Sequence, residues 1–270
     1  MDVGPLRDAL TAVVGIATGV LSGAFGVGGA VVSTPGIRLL GVPALTAVGT
    51  TLPSILPTAL AGAHRYRAAG LISWNAVVLT VPTGMLASVA GGLLSDVVPG
   101  DGHPLMIITA VLLGVTAVRM GRPDTSSETV ESGADQARDQ ADDRSGTRIR
   151  LAGVGVLAGA MSGLLGVGGG LVMVPAFHQM AKMSIKSAIG TSLACVAAFA
   201  IPGTVTHALL GHIDWRVAGF LTLTVIPSAR LGSTLALRTS DARLRRIVAY
   251  FLGLIAIVYA AGEITALFTG

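Results

Sequence analysis

The sequence predicts an all-α integral membrane protein made of two inverted-topology repeats, each a glycine-broken helix hairpin followed by about three transmembrane helices. Three observations predict it. Of 270 residues, 52% are apolar and only 12% charged, with a mean hydropathy of +0.76, whereas a soluble domain carries roughly 25% charged residues to cover its surface. The charges cluster between long uncharged apolar runs. The two halves of the chain also repeat one another at a nearly fixed offset.

In chain order, apolar segments occupy residues 9–27, 30–41, 44–64, 75–94 and 104–120, then 149–167, 170–181, 187–207, 216–237 and 247–262. Eight are long enough to span a bilayer. Segments 30–41 and 170–181 are 12 residues each, which gives ~18 Å of helix against a ~30 Å hydrocarbon core. They predict half-helices or re-entrant arms. Residues 121–148 hold seven of the fourteen acidic residues and no large apolar residue except Val130. That composition predicts a solvated, disordered linker, as a plain spacer or as a regulatory segment. The chain thus divides into a first transmembrane repeat at 1–120, a cytoplasmic linker at 121–148 and a second repeat at 149–270.

The repeat is read from matched residues. Gly23, Gly26, Gly28, Gly29 and Pro35 match Gly163, Gly166, Gly168, Gly169 and Pro175 at an offset of 140; Gly49, Thr50, Thr51, Gly62, Gly70, Ile72 and Trp74 match Gly190, Thr191, Ser192, Gly203, Gly211, Ile213 and Trp215 at an offset of 141. Internal duplication in a membrane chain is the mark of a two-repeat transporter. Cytoplasmic loops are enriched in Lys and Arg. Here 14 of the 18 basic residues fall at 65–74, 119–150, 182–186 and 238–246. Equivalent loops differ: 95–104 carries none, while 238–246 carries Arg238, Arg243, Arg245 and Arg246. The halves are therefore expected to be inverted, with both termini external, in the cytoplasmic membrane.

The basic balance, with a pI near 9.8, is explained by these flanking arginines and not by nucleic-acid binding. One cysteine, Cys195, excludes an internal disulfide and a thiolate-rich metal site. No metal site, cofactor or enzymatic activity is predicted. No strand precedes the glycine-rich stretches, which excludes a dinucleotide fingerprint.

The glycines have two readings. Spaced four apart, Gly19/Gly23 and Gly159/Gly163 suit close helix packing in lipid. The consecutive Gly28-Gly29 and Gly168-Gly169-Gly170 cannot sustain a helix cheaply. A break there would leave free N–H groups at a half-helix start, a device for holding an anion within the membrane. The predicted substrate-binding backbone is thus Gly26, Gly28, Gly29, Gly166, Gly168 and Gly169, and the predicted partners are the lipid bilayer and a small anion.

The stretches FGVGGAVVSTPGIRLLGVPALTAVGTT and LGVGGGLVMVPAFHQMAKMSIKSAIGTS, followed by GLISW and GHIDW, resemble the two repeats of the sulfite exporter TauE/SafE family of membrane permeases. The resemblance covers nearly the whole chain apart from the linker and termini. It implies movement of a small sulfur-containing anion, such as sulfite or an organosulfonate, across the membrane.

Polar residues after each break complete the predicted site: Thr50, Thr51 and Ser54 in the first half, Thr191, Ser192 and Cys195 in the second. The alternative is hydroxyls bonded back to their own helix, and for Cys195 a small core residue. Arg230 lies inside an apolar segment, where an arginine costs at least ~2.5 kcal/mol on insertion scales. It is expected to contact substrate or a gate, to snorkel to the headgroups, or to pair with helix-end carbonyls. No carboxylate lies within the apolar segments apart from Asp8 and Glu263 near their ends, so no acidic proton relay is predicted. The histidines His64, His207 and His212 sit near helix ends as proton sites or polar anchors. Function is expected to be carrier-mediated export, with a passive anion channel and an uptake permease as the alternatives.

Overall fold

The computed structural model describes residues 4–94, 111, 114–115, 117–118, 140–165 and 168–269. Among these are nine helices and no strand: α1 Pro5–Phe25, α2 Ala30–Leu39, α3 Ala44–Ala68, α4 Trp74–Leu94, α5 Gln140–Leu165, α6 Gly170–Met180, α7 Ile185–Leu209, α8 Trp215–Arg238 and α9 Asp241–Thr269. Helix α5 begins at Gln140, so its first two turns come from the segment read as linker; residues 121–139 lie outside the described residues.

Five helices, among the described residues, are long and apolar enough to cross a bilayer: α1, α4, α7, α8 and Leu45–Ala68 of α3. Eight such segments were expected. Two of the others belong to α5 and α9, and 104–120 lies largely outside the described residues. Burial separates the five. The best apolar windows of α3 and α7 are 67% buried, against 28–39% for α1, α4 and α8, which makes α3 and α7 the centre of the bundle. Their Leu52, Ile55, Leu193, Val196 and Phe199 form the inner core.

Helix ends follow from local chemistry. Pro5 opens α1, where its missing N–H costs nothing. Gly26 closes it in the left-handed region at φ 72°, its N–H bonded to the Ser22 carbonyl. The chain passes Gly28 and Gly29, both at φ 84°, before α2 starts at Ala30. The second half does likewise through Gly168 (φ 82°) and Gly169 (φ 65°) before α6. Helices α2 and α6, of 10 and 11 residues, reach only ~15 Å.

Direction is fixed by pairs at the helix ends. Arg7 at the start of α1 pairs with Asp214, the N-cap of α8, at 3.0 Å, while Gly23 near the end of α1 lies against Ala229 and Ser233. Arg65 near the end of α3 donates to Thr234 near the end of α8 at 2.9 Å. Helices α1, α3 and α8 therefore run one way. Thr83 of α4 donates to the Ala152 carbonyl of α5 at 3.1 Å, and Gly91 meets Ala160 and Leu164. Ser88 of α4 donates to the Phe199 carbonyl of α7 at 3.3 Å, and Gly92 meets Thr206. Helices α4, α5 and α7 thus share a direction. Thr50 near the start of α3 meets Asp214 beyond the end of α7, so the two sets are antiparallel.

Candidate functional site

The closest helix pairs are made by glycine. A Cβ on Gly19 would lie 2.6 Å from the Val225 carbonyl oxygen, and one on Gly23 would lie 2.1 Å from that of Ala229. In the other half, Cβ atoms on Gly159 and Gly163 would lie 2.0 Å from the carbonyl oxygens of Gly84 and Ser88. No side chain fits at these four positions, so they serve the contact of α1 with α8 and of α5 with α4.

The glycines that interrupt the helices do something different. A Cβ on Gly28 would lie 3.4 Å from the Gly168 Cα, and one on Gly168 would lie 3.4 Å from the Gly28 Cα. The two interruptions touch, between Ile55 of α3 and Val196 of α7. Gly170 packs on the Gly26 carbonyl, which also accepts the Ser192 hydroxyl at 2.9 Å. Gly26, Gly28, Gly29, Gly168, Gly169, Ser192 and Ile55 are all buried. Gly166 lies outside the described residues.

The predicted hydroxyls divide into groups. Thr50 accepts the backbone N–H of Asp214 at 2.9 Å, and Thr191 accepts that of Ser73 at 3.0 Å. These matched threonines close the connections that lead into α8 and α4 from the opposite half. Thr51 donates to the Val48 carbonyl at 2.9 Å and lies 3.3 Å from the Thr34 hydroxyl of α2. Ser54 bonds back to the Thr51 carbonyl at 2.7 Å, the helix-internal alternative. Cys195 is fully buried on α7. Arg230 does not join this cluster. It is exposed on α8, on the same outer surface as Leu223, Leu231 and Leu235, while Ala229, Gly232 and Ser233 are buried.

Sequence reading missed two serines. Ser22 and Ser162 are matched at an offset of 140, each immediately before a packing glycine. They are 1% and 0% exposed, and neither hydroxyl finds a hydrogen-bond partner among the described residues. The Ser22 Oγ would sit 3.6 Å from a Cβ on Gly29, at the start of α2. A buried hydroxyl without a partner costs about 1–3 kcal/mol, and that of Ser22 borders the first glycine interruption. The exact repeat match was the signal available in the sequence.

At the start of α2, the N–H groups of Val32 and Ser33 bond to the Gly29 carbonyl, and at the start of α6 those of Val172 and Met173 bond to Gly169. Of the preceding amides, the Gly170 N–H at the start of α6 bonds to the Gly168 carbonyl at 2.8 Å, and each helix start carries partial positive charge. No group of three or more metal-ligating side chains occurs among the described residues.

A probable membrane transporter protein of Xylella fastidiosa (strain 9a5c) is 28% identical over 251 residues, covering 92% of this chain and 89% of the relative. One from Haemophilus influenzae is 27% identical over 268 residues, covering 92% and 96%. One from Methanocaldococcus jannaschii is 24% identical over 260 residues, covering 90% and 92%. No solved structure matches the chain. The profile of the family described as "Sulfite exporter TauE/SafE" matches residues 11–259. With its paired glycine motifs and its apolar helices, the chain is a member of the sulfite exporter TauE/SafE family of membrane transporters.

Proposed function

We propose that this protein is a carrier for a small sulfur-containing anion, such as sulfite or an organosulfonate, working mainly in export across the cytoplasmic membrane. The observation that carries the reading is the meeting of two helix interruptions at Gly28 and Gly168, with the Ser22 hydroxyl, which has no hydrogen-bond partner among the described residues, buried beside the start of α2. An anion there would accept hydrogen bonds from the first-turn amides of α2 and from Ser22, whose repeat counterpart is Ser162. Both donor types are neutral, so binding needs no buried countercharge.

The two antiparallel sets of helices support an inverted repeat, in which α1–α4 correspond to α5–α8. Alternating access would then come from rocking one half against the other around the glycine contact. Nothing in this scheme needs a proton relay. One negative charge moving outward along an inside-negative potential releases ~2.3 kcal/mol per 100 mV.

The test is flux in proteoliposomes, with sulfite, thiosulfate, sulfoacetate and sulfate run in parallel. A carrier saturates and shows counterflow. Unsaturable flux without counterflow would assign a channel, and flux driven only inward would assign an uptake permease. Absence of flux for all four anions would remove the sulfur-anion reading. In Ser22→Ala we expect weaker substrate affinity at unchanged membrane insertion.

A further inference from the structure

The two glycine interruptions are matched in sequence but not in their surroundings. Gly29 before α2 and Gly169 before α6 correspond at the offset of 140. A Cβ on Gly169 would lie 2.4 Å from the Ala158 carbonyl oxygen and 3.1 Å from the Ala158 Cβ, so the backbone of α5 closes directly on the second interruption. A Cβ on Gly170 would lie 2.2 Å from the Gly26 carbonyl oxygen, and the Gly170 N–H is already bonded to the Gly168 carbonyl at 2.8 Å. The start of α6 is filled by backbone.

The start of α2 is bordered by side chains instead. A Cβ on Gly29 would lie 2.8 Å from the Thr18 Cγ2, 3.4 Å from the Ser22 Cβ and 3.6 Å from the Ser22 Oγ. Thr18 and Ser22 stand one turn apart on the same face of α1. Both are 1% exposed, and neither hydroxyl has a hydrogen-bond partner among the described residues. The mate of Thr18 is Ala158, the residue whose backbone closes on Gly169. The contrast continues along the two arms, because Ser33 and Thr34 of α2 are buried hydroxyls where α6 carries Met173 and Val174. A buried hydroxyl without a partner is costly, whereas an alanine in its place is not. Two of them side by side at the positive start of a helix fit an acceptor that is bound for only part of the time.

We propose that Thr18 is a substrate-binding residue and that the site is one-sided: the anion is seated at the start of α2, against Thr18 and Ser22, and the backbone-filled start of α6 is its wall. This rests on the anion-carrier reading and names the half that does the binding. A threonine or serine hydroxyl turns about its own C–O bond, so both can aim their hydrogens at an arriving anion without moving a helix. Hydrogen bonds to a charged acceptor are roughly twice as strong as neutral ones. The Thr18 methyl against Gly29 holds the side chain in one rotamer, and a β-branched residue is stiff at χ1. The hydroxyl is therefore placed before the anion arrives.

Two variants separate the hydroxyl from the methyl. Thr18→Val keeps the methyl on Gly29 and removes the hydroxyl, while Thr18→Ser does the reverse. Full-length protein in nanodiscs is titrated with sulfite by calorimetry, and its Tm is measured with no anion present. We expect Thr18→Val to raise the sulfite Kd about tenfold or more. Its Tm without anion should rise by about 2 °C or more, because a buried hydroxyl without a partner is gone. Thr18→Ser should keep Kd within about threefold of wild type. A Kd in Thr18→Val within about twofold of wild type would overturn the assignment. Equal weakening in Thr18→Ser would also overturn it, since the methyl and not the hydroxyl would then matter. A lower Tm in Thr18→Val would mean that the hydroxyl has a permanent partner, with the same consequence. Nitrate, an oxyanion without sulfur, is titrated in parallel. Nitrate binding that depends on Thr18, without sulfite binding, would leave the site standing and count against the sulfur-anion class alone. Wild-type protein that binds neither anion would overturn the site.

Discussion

Thr50 accepts the backbone N–H of Asp214 at 2.9 Å, and the matched Thr191 accepts that of Ser73 at 3.0 Å, so each half is tied to the other by the same hydroxyl. Replacing either threonine with valine keeps the shape and leaves a part-buried N–H without its acceptor. We expect Thr50→Val and Thr191→Val each to lose about 1–3 kcal/mol of stability, read as a lower Tm in detergent. Flux per folded protein should stay near wild type. Loss of flux at unchanged Tm would assign these hydroxyls to substrate instead.

Packing glycines and uncrowded glycines should respond oppositely to the same change. Gly159→Ala and Gly163→Ala put a methyl into backbone at 2.0 Å and should lose about 1–3 kcal/mol or more. Gly153 and Gly219 are helical and exposed, with nothing within 4 Å of a Cβ. Their alanine variants should be neutral or gain up to about 1 kcal/mol from helix propensity. Thermal unfolding of the four variants in one detergent checks the contrast.

Gly28→Leu and Gly168→Leu should insert normally and lose transport. Both positions hold φ above 80°, which costs a non-glycine residue about 1–2 kcal/mol. A side chain would also push Gly28 and Gly168 apart. Membrane yield and sulfite flux are measured together, and wild-type flux in both variants would reduce these glycines to packing elements.

Arg230 is exposed on an apolar surface of α8, which favours the snorkelling alternative over substrate contact. Arg230→Ala should therefore transport within about twofold of wild type at matched amounts of membrane protein, while insertion changes because the ~2.5 kcal/mol cost of the charge is gone. Abolished flux with normal insertion would return Arg230 to the translocation route.

Topology can be checked with single cysteines in a Cys195→Ser background. Val130→Cys should react with impermeant reagent only after the membrane is opened, and Ala266→Cys should react from outside. The reverse pattern would invert the arrangement of the two halves.

Much of the architecture was legible in the sequence because it follows from periodicity and composition. Apolar length marked the spanning helices, and short apolar length marked α2 and α6. Residues matched at the offset of 140–141 make matching contacts: Gly23 and Gly163 each pack on the backbone of a neighbouring helix, and Thr50 and Thr191 each accept a backbone N–H from the opposite half. Paired glycines announced interruptions because a run of glycine has little to hold it helical. What one hydroxyl does was not legible. Thr50, Thr51 and Ser54 look alike in the sequence, yet one bonds the opposite half, one approaches α2 and one bonds its own helix. Neither the isolated Ser22 nor the exposed side of Arg230 could be read before α1 and α8 were placed, because a helix's outward face is set by its neighbours. The contact of Gly28 with Gly168 and the pairing of His207 with His212 were decided by tertiary structure alone. The first joins residues 140 apart in the chain, and the second depends on how the turn after α7 folds back onto its own last turn.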